Sequence, residues 1–219
     1  MSSEPVPPPP QHPGPIGGEM ARVLHGIAHR LQLSYLTTRH SRLWILGLFA
    51  LVNGVISIGL MAAAALVTGA PFIFPSLGPT AFLLFYTPTM PAASPRNTIG
   101  GHLIGVAAGY LALVIFGLTQ RGPALAEGVH WANVGAAALS LGLTSGAMVW
   151  LRVPHPPAGA TTLIVSLGIL RQPWQLAVLM FAVVLLVLQG IAINRLAGID
   201  YPLWAPRPPE RVPSPVKPG

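Results

Sequence analysis

The sequence predicts an all-α integral membrane protein. Of the 219 residues, 52% are hydrophobic and only 8% are charged, whereas a soluble domain usually has about a quarter charged residues. Uncharged apolar stretches of about twenty residues recur along the chain, and each is long enough to cross a hydrocarbon core of about 30 Å as a helix. The alternative, a soluble helical protein, is disfavoured because such stretches are rare outside membranes.

Four segments of the chain have the length and composition of membrane-spanning helices. They are roughly Leu43–Val67, Thr98–Leu118, Trp131–Leu151 and Trp174–Leu196. A Pro- and Gly-rich stretch interrupts each half and leads into a short apolar helix, at Pro79–Tyr86 and at Pro157–Leu170. Both halves therefore have the same predicted order of segments: a long membrane span, a broken short helix and a second long span. We predict two three-segment membrane repeats, 42–119 and 129–198.

Proline positions support an internal duplication. Pro75 and Pro154 stand before the two broken segments, and they are separated by nearly the same distance as Pro95 and Pro173, which precede the second span of each half. Chance recurrence of helix-breaking residues is the alternative. If the broken segments cross the bilayer, the chain crosses six times and the repeats are inverted. If they only dip in, the halves are parallel. The distribution of arginines favours the inverted repeat.

The ends of the chain have a different composition from the membrane portion. Residues 1–19 predict a disordered Pro-rich tail, and 20–36 predict an amphipathic interfacial helix at the N-terminus. Residues 199–219 predict a Pro-rich C-terminal tail. Arginines flank the first and the last span, which indicates that both termini are cytoplasmic. We expect an integral protein of a bacterial inner (plasma) membrane.

Several classes of function are disfavoured by residues that the sequence lacks. It has no cysteine, which excludes disulfides and thiol nucleophiles. No Asp or Glu occurs between Glu19 and Glu127, or between Glu127 and Asp200, so the membrane portion has no carboxylate to bind a metal cation. We therefore expect no enzyme activity, no metal and no cofactor. The net charge is +7, but the basic residues flank the spans without forming a cluster, so nucleic acid is not an expected partner. Glycine-lined helices are compatible with a homo-oligomer, a dimer or trimer.

The broken segments predict a small-anion site near the bilayer midplane. In hydrocarbon, non-helical backbone persists only beside other protein or a water-filled cavity. In transporters built from inverted repeats, discontinuous helices direct their partially positive N-termini toward a bound anion. Segments 76–80 and 155–161 each lead into a short helix in this way. The candidate contacts are Ser76, Gly78, Thr80, Arg96, Asn97, His102, His155, Gly159 and Thr161.

Each ionisable candidate also has a purely structural interpretation. His155 could line the permeation path or only cap a helix. His102 could face the cavity or satisfy a neighbouring carbonyl. Arg96 and Asn97 could coordinate an anion at a cavity mouth, whereas an arginine at a membrane boundary is often an anchor.

The motifs around these residues resemble those of a known family. PRN at Pro95–Asn97, Gly101 with His102, and HPPAGAT from His155 to Thr161 occur together and in this order. They resemble the HPP family of integral membrane proteins, and the resemblance extends over about residues 35–198. Members of that family are multi-span proteins, and plant plastid and cyanobacterial relatives are implicated in nitrite transport. The resemblance implies nitrite, or a similar small anion, as a candidate substrate.

The sequence therefore predicts a membrane transporter or channel for a small inorganic anion, with nitrite as the first candidate. The anion would pass between the two broken helices. The alternative hypothesis is a non-transporting membrane assembly or sensor subunit.

Overall fold

The computed structural model describes residues 33–39 and 41–206, and all of its regular elements are helices. In chain order they are α1 (Leu33–Arg39), α2 (Arg42–Thr68), α3 (Leu77–Tyr86), a 3-10 turn (Pro91–Ala93), α4 (Pro95–Ile115), α5 (Ala124–Glu127), α6 (Trp131–Trp150), α7 (Ala158–Ser166) and α8 (Pro173–Leu196). The prediction of an all-helical chain is confirmed for the described residues.

Four of these helices are long and apolar enough to cross a membrane: α2, α4, α6 and α8. The four predicted spans are thereby confirmed, with bounds that move by a few residues. The short helices α3 and α7 have 10 and 9 residues, which at 1.5 Å per residue gives about 15 Å. That length is about half of the hydrocarbon core, so neither helix alone crosses it.

Helix α4 begins three residues earlier than the sequence predicted. The Ser94 side chain accepts a hydrogen bond from the backbone N–H of Asn97 and so caps the helix, while Pro95 occupies its first position. Proline is favoured there because that position needs no N–H donor. Arg96 and Asn97 therefore lie in the first turn of α4, instead of in the preceding loop.

Each short helix packs between the two halves of the chain. Helix α3 contacts α2, the long helix of its own half, and α8, the last helix of the other half. Helix α7 contacts α6 and α4 in the corresponding way, and α4 also contacts α8. The order long helix, short helix, long helix is thus the same in both halves, and the same kinds of neighbour surround both short helices.

A row of glycines on α4 allows α7 to pack very closely. A Cβ added at Gly101 would lie 2.6 Å from the His155 Cβ, and one at Gly105 would lie 2.7 Å from the Ala158 carbonyl oxygen. A Cβ at Gly109 would meet the Thr162 carbonyl oxygen at 2.8 Å. These distances are too short for any side chain, so only glycine permits this approach.

The segments predicted for the two chain ends lie largely outside the described residues. The tail 1–19 and most of the interfacial helix 20–36 lie outside the described residues; α1 contains the last residues of that helix. Of the tail 199–219, residues 207–219 also lie outside. The described beginning of this tail packs on the helices: Tyr201 is buried and donates its hydroxyl proton to the Ala93 carbonyl at 2.5 Å. A buried aromatic ring and a paired hydroxyl hold this stretch against the protein.

Candidate functional site

Two histidines and two threonines form a connected polar chain at the centre of the molecule. Thr80 Oγ1 lies 2.9 Å from His102 Nε2 and 3.3 Å from His155 Nε2. On the other side of its ring, His102 Nδ1 lies 2.7 Å from Thr161 Oγ1. The centroids of the two imidazole rings are 4.9 Å apart. The chain thus joins both short helices, the spanning helix α4 and the His-Pro-Pro segment.

The two threonines occupy equivalent positions in the two halves. Thr80 is the fourth residue of α3, Thr161 is the fourth residue of α7, and both contact the imidazole of His102. Because helices α3 and α7 begin close to this imidazole, their first turns converge on one point. The packing of α7 on the α4 glycines holds Thr161 and His155 at this point.

The 3-10 turn at Pro91–Ala93 anchors the far end of the polar chain. His155 Nδ1 lies 2.7 Å from the Ala92 carbonyl oxygen. Asn97 Nδ2 donates to the Pro91 carbonyl at 2.9 Å, and the Tyr201 hydroxyl donates to the Ala93 carbonyl. Burial raises the pKa of the Tyr201 phenol above its ordinary value, so the hydroxyl keeps its proton and remains a donor. Three separate parts of the chain therefore fix this turn.

The family can be assigned once this geometry is known. The family model described as the transmembrane region of HPP proteins matches residues 38–202, a range that contains the whole polar chain. The chain belongs to the HPP family. The residues for which the family is named, His155, Pro156 and Pro157, are those that bring an imidazole onto Thr80 and start α7.

The curated relatives of this HPP protein are described only as transmembrane proteins. Two from Dictyostelium discoideum match: one is 29% identical over 135 residues, 59% of this chain and 44% of the relative. The other is 30% identical over 104 residues, 48% of this chain and 30% of the relative. The chain thus spans less than half the length of either relative, and their names carry no substrate. No solved structure matches.

The described conformation closes the polar chain off from solvent. The side chains of Thr80, His102, His155 and Thr161 are all fully buried. A groove of about 390 Å³ nevertheless lies over the starts of both short helices, lined by Pro79, Phe82, Leu83, Pro156, Pro157 and Ala160. A second groove, of about 340 Å³, includes His155 and Gly159 in its lining. Both grooves touch Pro156, so they flank the HPP motif.

Of the other candidates, only Ser76 contacts this polar chain directly, through its carbonyl oxygen. Ser76 is buried, its hydroxyl has no partner, and its carbonyl oxygen lies 2.9 Å from Thr80 Oγ1. Gly78 is exposed and lines a different groove, between α2 and α3. Arg96 is half-buried, and its backbone N–H donates to the Trp204 carbonyl at 3.0 Å. Asn97 supports the 3-10 turn, as described above.

The backbone amides at the start of α7 are already hydrogen-bonded. Those of Ala158, Gly159 and Ala160 donate to the carbonyls of the three preceding residues at 2.9–3.1 Å. The expected cradle of free amides is therefore absent from this turn in the described conformation. What converges here instead is a set of side chains, two imidazoles and two hydroxyls, which can donate or accept protons.

The sequence did not indicate two of the groups that complete this site. The Ala92 carbonyl orients His155, and Tyr201 holds the neighbouring carbonyl, but backbone acceptors and a lone tyrosine carry no motif. Within the described part of the chain, no three His, Cys, Asp or Glu residues lie close enough together to hold a metal ion. The imidazoles and hydroxyls present at this site can form hydrogen bonds and transfer protons.

Proposed function

We propose that this HPP protein transports a small inorganic anion across the membrane, with nitrite as the first candidate. The observation that supports this most is the buried polar chain that links the two broken segments. Buried polar groups are costly in an apolar surrounding, and in membrane-spanning proteins they commonly mark pathways for ions or solutes. The spanning helices contain no acidic side chain, so this interior favours an anion over a cation.

The proposed path follows the HPP motif. The grooves on either side of Pro156 give access to the starts of α3 and α7, and the polar chain lies behind them. Because Thr80, His102, His155 and Thr161 are buried, the described conformation is an occluded one. An anion would reach the hydroxyl and imidazole donors when α7 and its preceding segment move relative to α3.

Symmetry and orientation form part of the same proposal. We propose that the halves 42–119 and 129–198 are inverted repeats. Each short helix packs against the first long helix of its own half and the last long helix of the other half, and this matching arrangement supports the proposal. Transporters of this construction place their site at the interface of the repeats. We further propose cytoplasmic termini, in a bacterial inner membrane, and a homo-oligomer. Cysteine accessibility from either side, with single cysteines introduced into this cysteine-free chain, tests the orientation.

One observation favours a second candidate function. The complete burial of the four polar side chains is also what a non-transporting membrane assembly or sensor subunit would show, because a structural polar network needs no access to water. In that case the imidazoles only join α3, α4 and α7 together.

Anion flux separates the two candidates. The purified full-length protein is reconstituted into liposomes, and the uptake of nitrite, nitrate, chloride and formate is measured against empty liposomes. Nitrite uptake above the empty-liposome rate, saturating with concentration, supports transport. If none of the four anions moves faster than in empty liposomes, the transport proposal fails and the subunit role is favoured.

A further inference from the structure

We infer that the His102–Thr80–His155 chain is a proton relay, and that the protein moves its anion together with a proton. This inference rests on the proposed anion transport and adds its driving force. It follows from the directions that the hydrogen bonds of the chain can take.

One end of the chain has a fixed direction. A carbonyl oxygen can only accept a hydrogen bond, so the contact from the Ala92 carbonyl requires a proton on His155 Nδ1. In neutral His155, Nε2 then carries a lone pair and accepts from the Thr80 hydroxyl. Thr80 Oγ1 in turn accepts from His102 Nε2–H, which leaves His102 Nδ1 to accept from the Thr161 hydroxyl. When Thr80 donates to His155, the neutral pair therefore has opposite tautomers: Nδ1–H in His155 and Nε2–H in His102.

Thr80 has a second acceptor for its hydroxyl proton, and this makes it a switch. Its Oγ1 lies 2.9 Å from the Ser76 carbonyl oxygen, as well as 3.3 Å from His155 Nε2. When His155 is protonated on both nitrogens while His102 keeps its proton on Nε2, the Nε2–H of His155 donates to Thr80 Oγ1, and the Thr80 hydroxyl proton turns to the Ser76 carbonyl. The three contacts of this single hydroxyl are thus explained by two protonation states.

An added proton can pass along the chain without movement of any heavy atom. If His102 carries it, both of its ring nitrogens donate, to Thr161 and to Thr80. The proton on His102 Nε2 then passes to Thr80 Oγ1 while the Thr80 hydroxyl proton passes to His155 Nε2. One N–H and one O–H bond break, one O–H and one N–H bond form, and the positive charge moves from His102 to His155. His102 is left neutral with its proton on Nδ1, and the Thr80 hydroxyl then donates to His102 Nε2.

Few other charges face the two imidazoles. Helices α3, α4, α6, α7 and α8 and the 3-10 turn contain no Asp or Glu. The titratable or charged groups on these elements or within five residues of them in the chain are Tyr86, Arg96, Tyr110, Glu127, His130, Arg152, Arg171, Arg195, Asp200 and Tyr201. Two protonated imidazoles 4.9 Å apart would repel each other strongly in a buried site, so the pair holds a single added proton.

The shortage of carboxylates couples this proton to the anion. A buried positive charge without a partner is strongly unfavourable, and so is a buried anion. Because the spanning helices supply no carboxylate, the transported anion is the natural counter-charge for a protonated pair. Each therefore raises the affinity for the other, and thermodynamic linkage makes this effect reciprocal. The expected result is co-transport of one proton with each monovalent anion.

The test measures nitrite and proton movement together in liposomes that contain the full-length protein and a trapped pH dye. Empty liposomes correct for the passage of undissociated nitrous acid. Four proteins are compared: wild type, Thr80→Ser, which keeps the hydroxyl, Thr80→Val, which removes it, and Thr162→Val. Thr162 is the matched control, since it is a neighbouring buried threonine whose hydroxyl has no partner.

We expect wild type, Thr80→Ser and Thr162→Val to take up nitrite with one proton each, driven by an inward proton gradient. In Thr80→Val, uptake driven by the proton gradient should fall about a hundredfold, the lower end of what a positioned proton-transferring group contributes. If wild type carries nitrite without protons, the relay is overturned and anion transport stands. If wild type carries none of the tested anions, both fall. Unchanged proton-driven uptake in Thr80→Val overturns the relay.

A second measurement is independent of folding in the variants. In wild-type protein with ¹⁵N-labelled histidine, the imidazole nitrogen shifts report the tautomer, and His102→Gln and His155→Gln assign the signals. Opposite neutral tautomers, Nδ1–H in His155 and Nε2–H in His102, support the proton relay. The same tautomer in both residues contradicts it. The spectra are recorded from about pH 8 to about pH 5, where imidazoles ordinarily titrate.

Discussion

The two short helices are nearly equal in length but lie on different surfaces. Helix α7 packs on the glycine row of α4, where backbone approaches backbone. Helix α3 packs on α2 and α8, and the one glycine contact seen there is a Cβ position at Gly190 that would meet Leu84 at 3.3 Å. Both helices supply a threonine to the site, but both histidines come from the α4–α7 side. The contact between α4 and α7 thus carries both imidazoles, whereas α3 packs mainly through apolar side chains.

This difference predicts that the α4–α7 contact tolerates less change than the contacts of α3. A side chain such as Leu84 can rotate away from an added methyl group, whereas a backbone carbonyl can move only with its helix. Any shift of α7 also displaces His155 and Thr161. We therefore expect the largest effects where the glycines of α4 contact α7.

Gly105→Ala should have the largest effect. Its Cβ would lie 2.7 Å from the Ala158 carbonyl oxygen, so α7 must move, at a cost of about 3 kcal/mol in the free energy of unfolding. Gly190→Ala is the matched variant on α8. There Leu84 can rotate, and the better helix propensity of alanine offsets about 1 kcal/mol, so stability should change little. Unfolding in detergent measures both. Equal losses would show that the two packing surfaces are alike after all.

His155→Ala should have the next largest effect. The variant loses the hydrogen bond to Ala92 and leaves a small cavity, with an expected loss of about 2 kcal/mol in the free energy of unfolding. Nitrite uptake in liposomes should also fall to the empty-liposome rate. Unchanged uptake by a folded variant would reduce this histidine to a structural cap. Gly54→Ala on α2, whose Cβ position has no neighbour within 4 Å, is the control and should behave as wild type.

Much of the fold could be predicted because hydropathy and helix punctuation are local properties. The four spans follow from apolar length alone, and Pro79 and Pro157 marked the starts of the short helices to within two residues. The start of α4 was missed by three residues, since the capping by Ser94 depends on side-chain geometry. Glycine-lined helices were visible in the sequence, but the sequence did not show that the glycines of α4 would pack against α7.

The site was predicted less completely, for a physical reason. Composition singled out His102 and His155, because ionisable residues in an apolar segment are costly and therefore informative. Their meeting at Thr80 depends on the tertiary contact between segments that are far apart in the chain. Free amides were expected at the start of α7, yet the structure pairs them locally. That local pairing depends on the exact dihedral angles after Pro156, which a residue pattern does not contain.

Tyr201→Phe tests whether the first half needs its anchor at the 3-10 turn. The change removes one hydroxyl and leaves the Ala93 carbonyl without its donor, while the ring still fills the same space. We expect a loss of about 1 kcal/mol in the free energy of unfolding. Nitrite uptake should stay close to wild type, because His155 still contacts Ala92. A large loss of uptake with unchanged stability would mean that the phenol belongs to the transport site, against this assignment.

Arg152→Gly should have the smallest effect, and a stabilising one. Helices α2, α4 and α8 are each followed by a glycine in the left-handed conformation, Gly69, Gly117 and Gly198, whereas α6 is followed by Arg152 with φ of 54°. A side chain there is strained, and glycine relieves the strain at some cost in chain entropy. The net gain should be about 0.5 kcal/mol, seen as a higher midpoint of unfolding in detergent. Gly69→Arg is the reciprocal change on α2 and should lower that midpoint. Destabilisation by Arg152→Gly would show instead that the arginine side chain makes a contact worth more than the strain, and it would then become a candidate for the anion path beside His155.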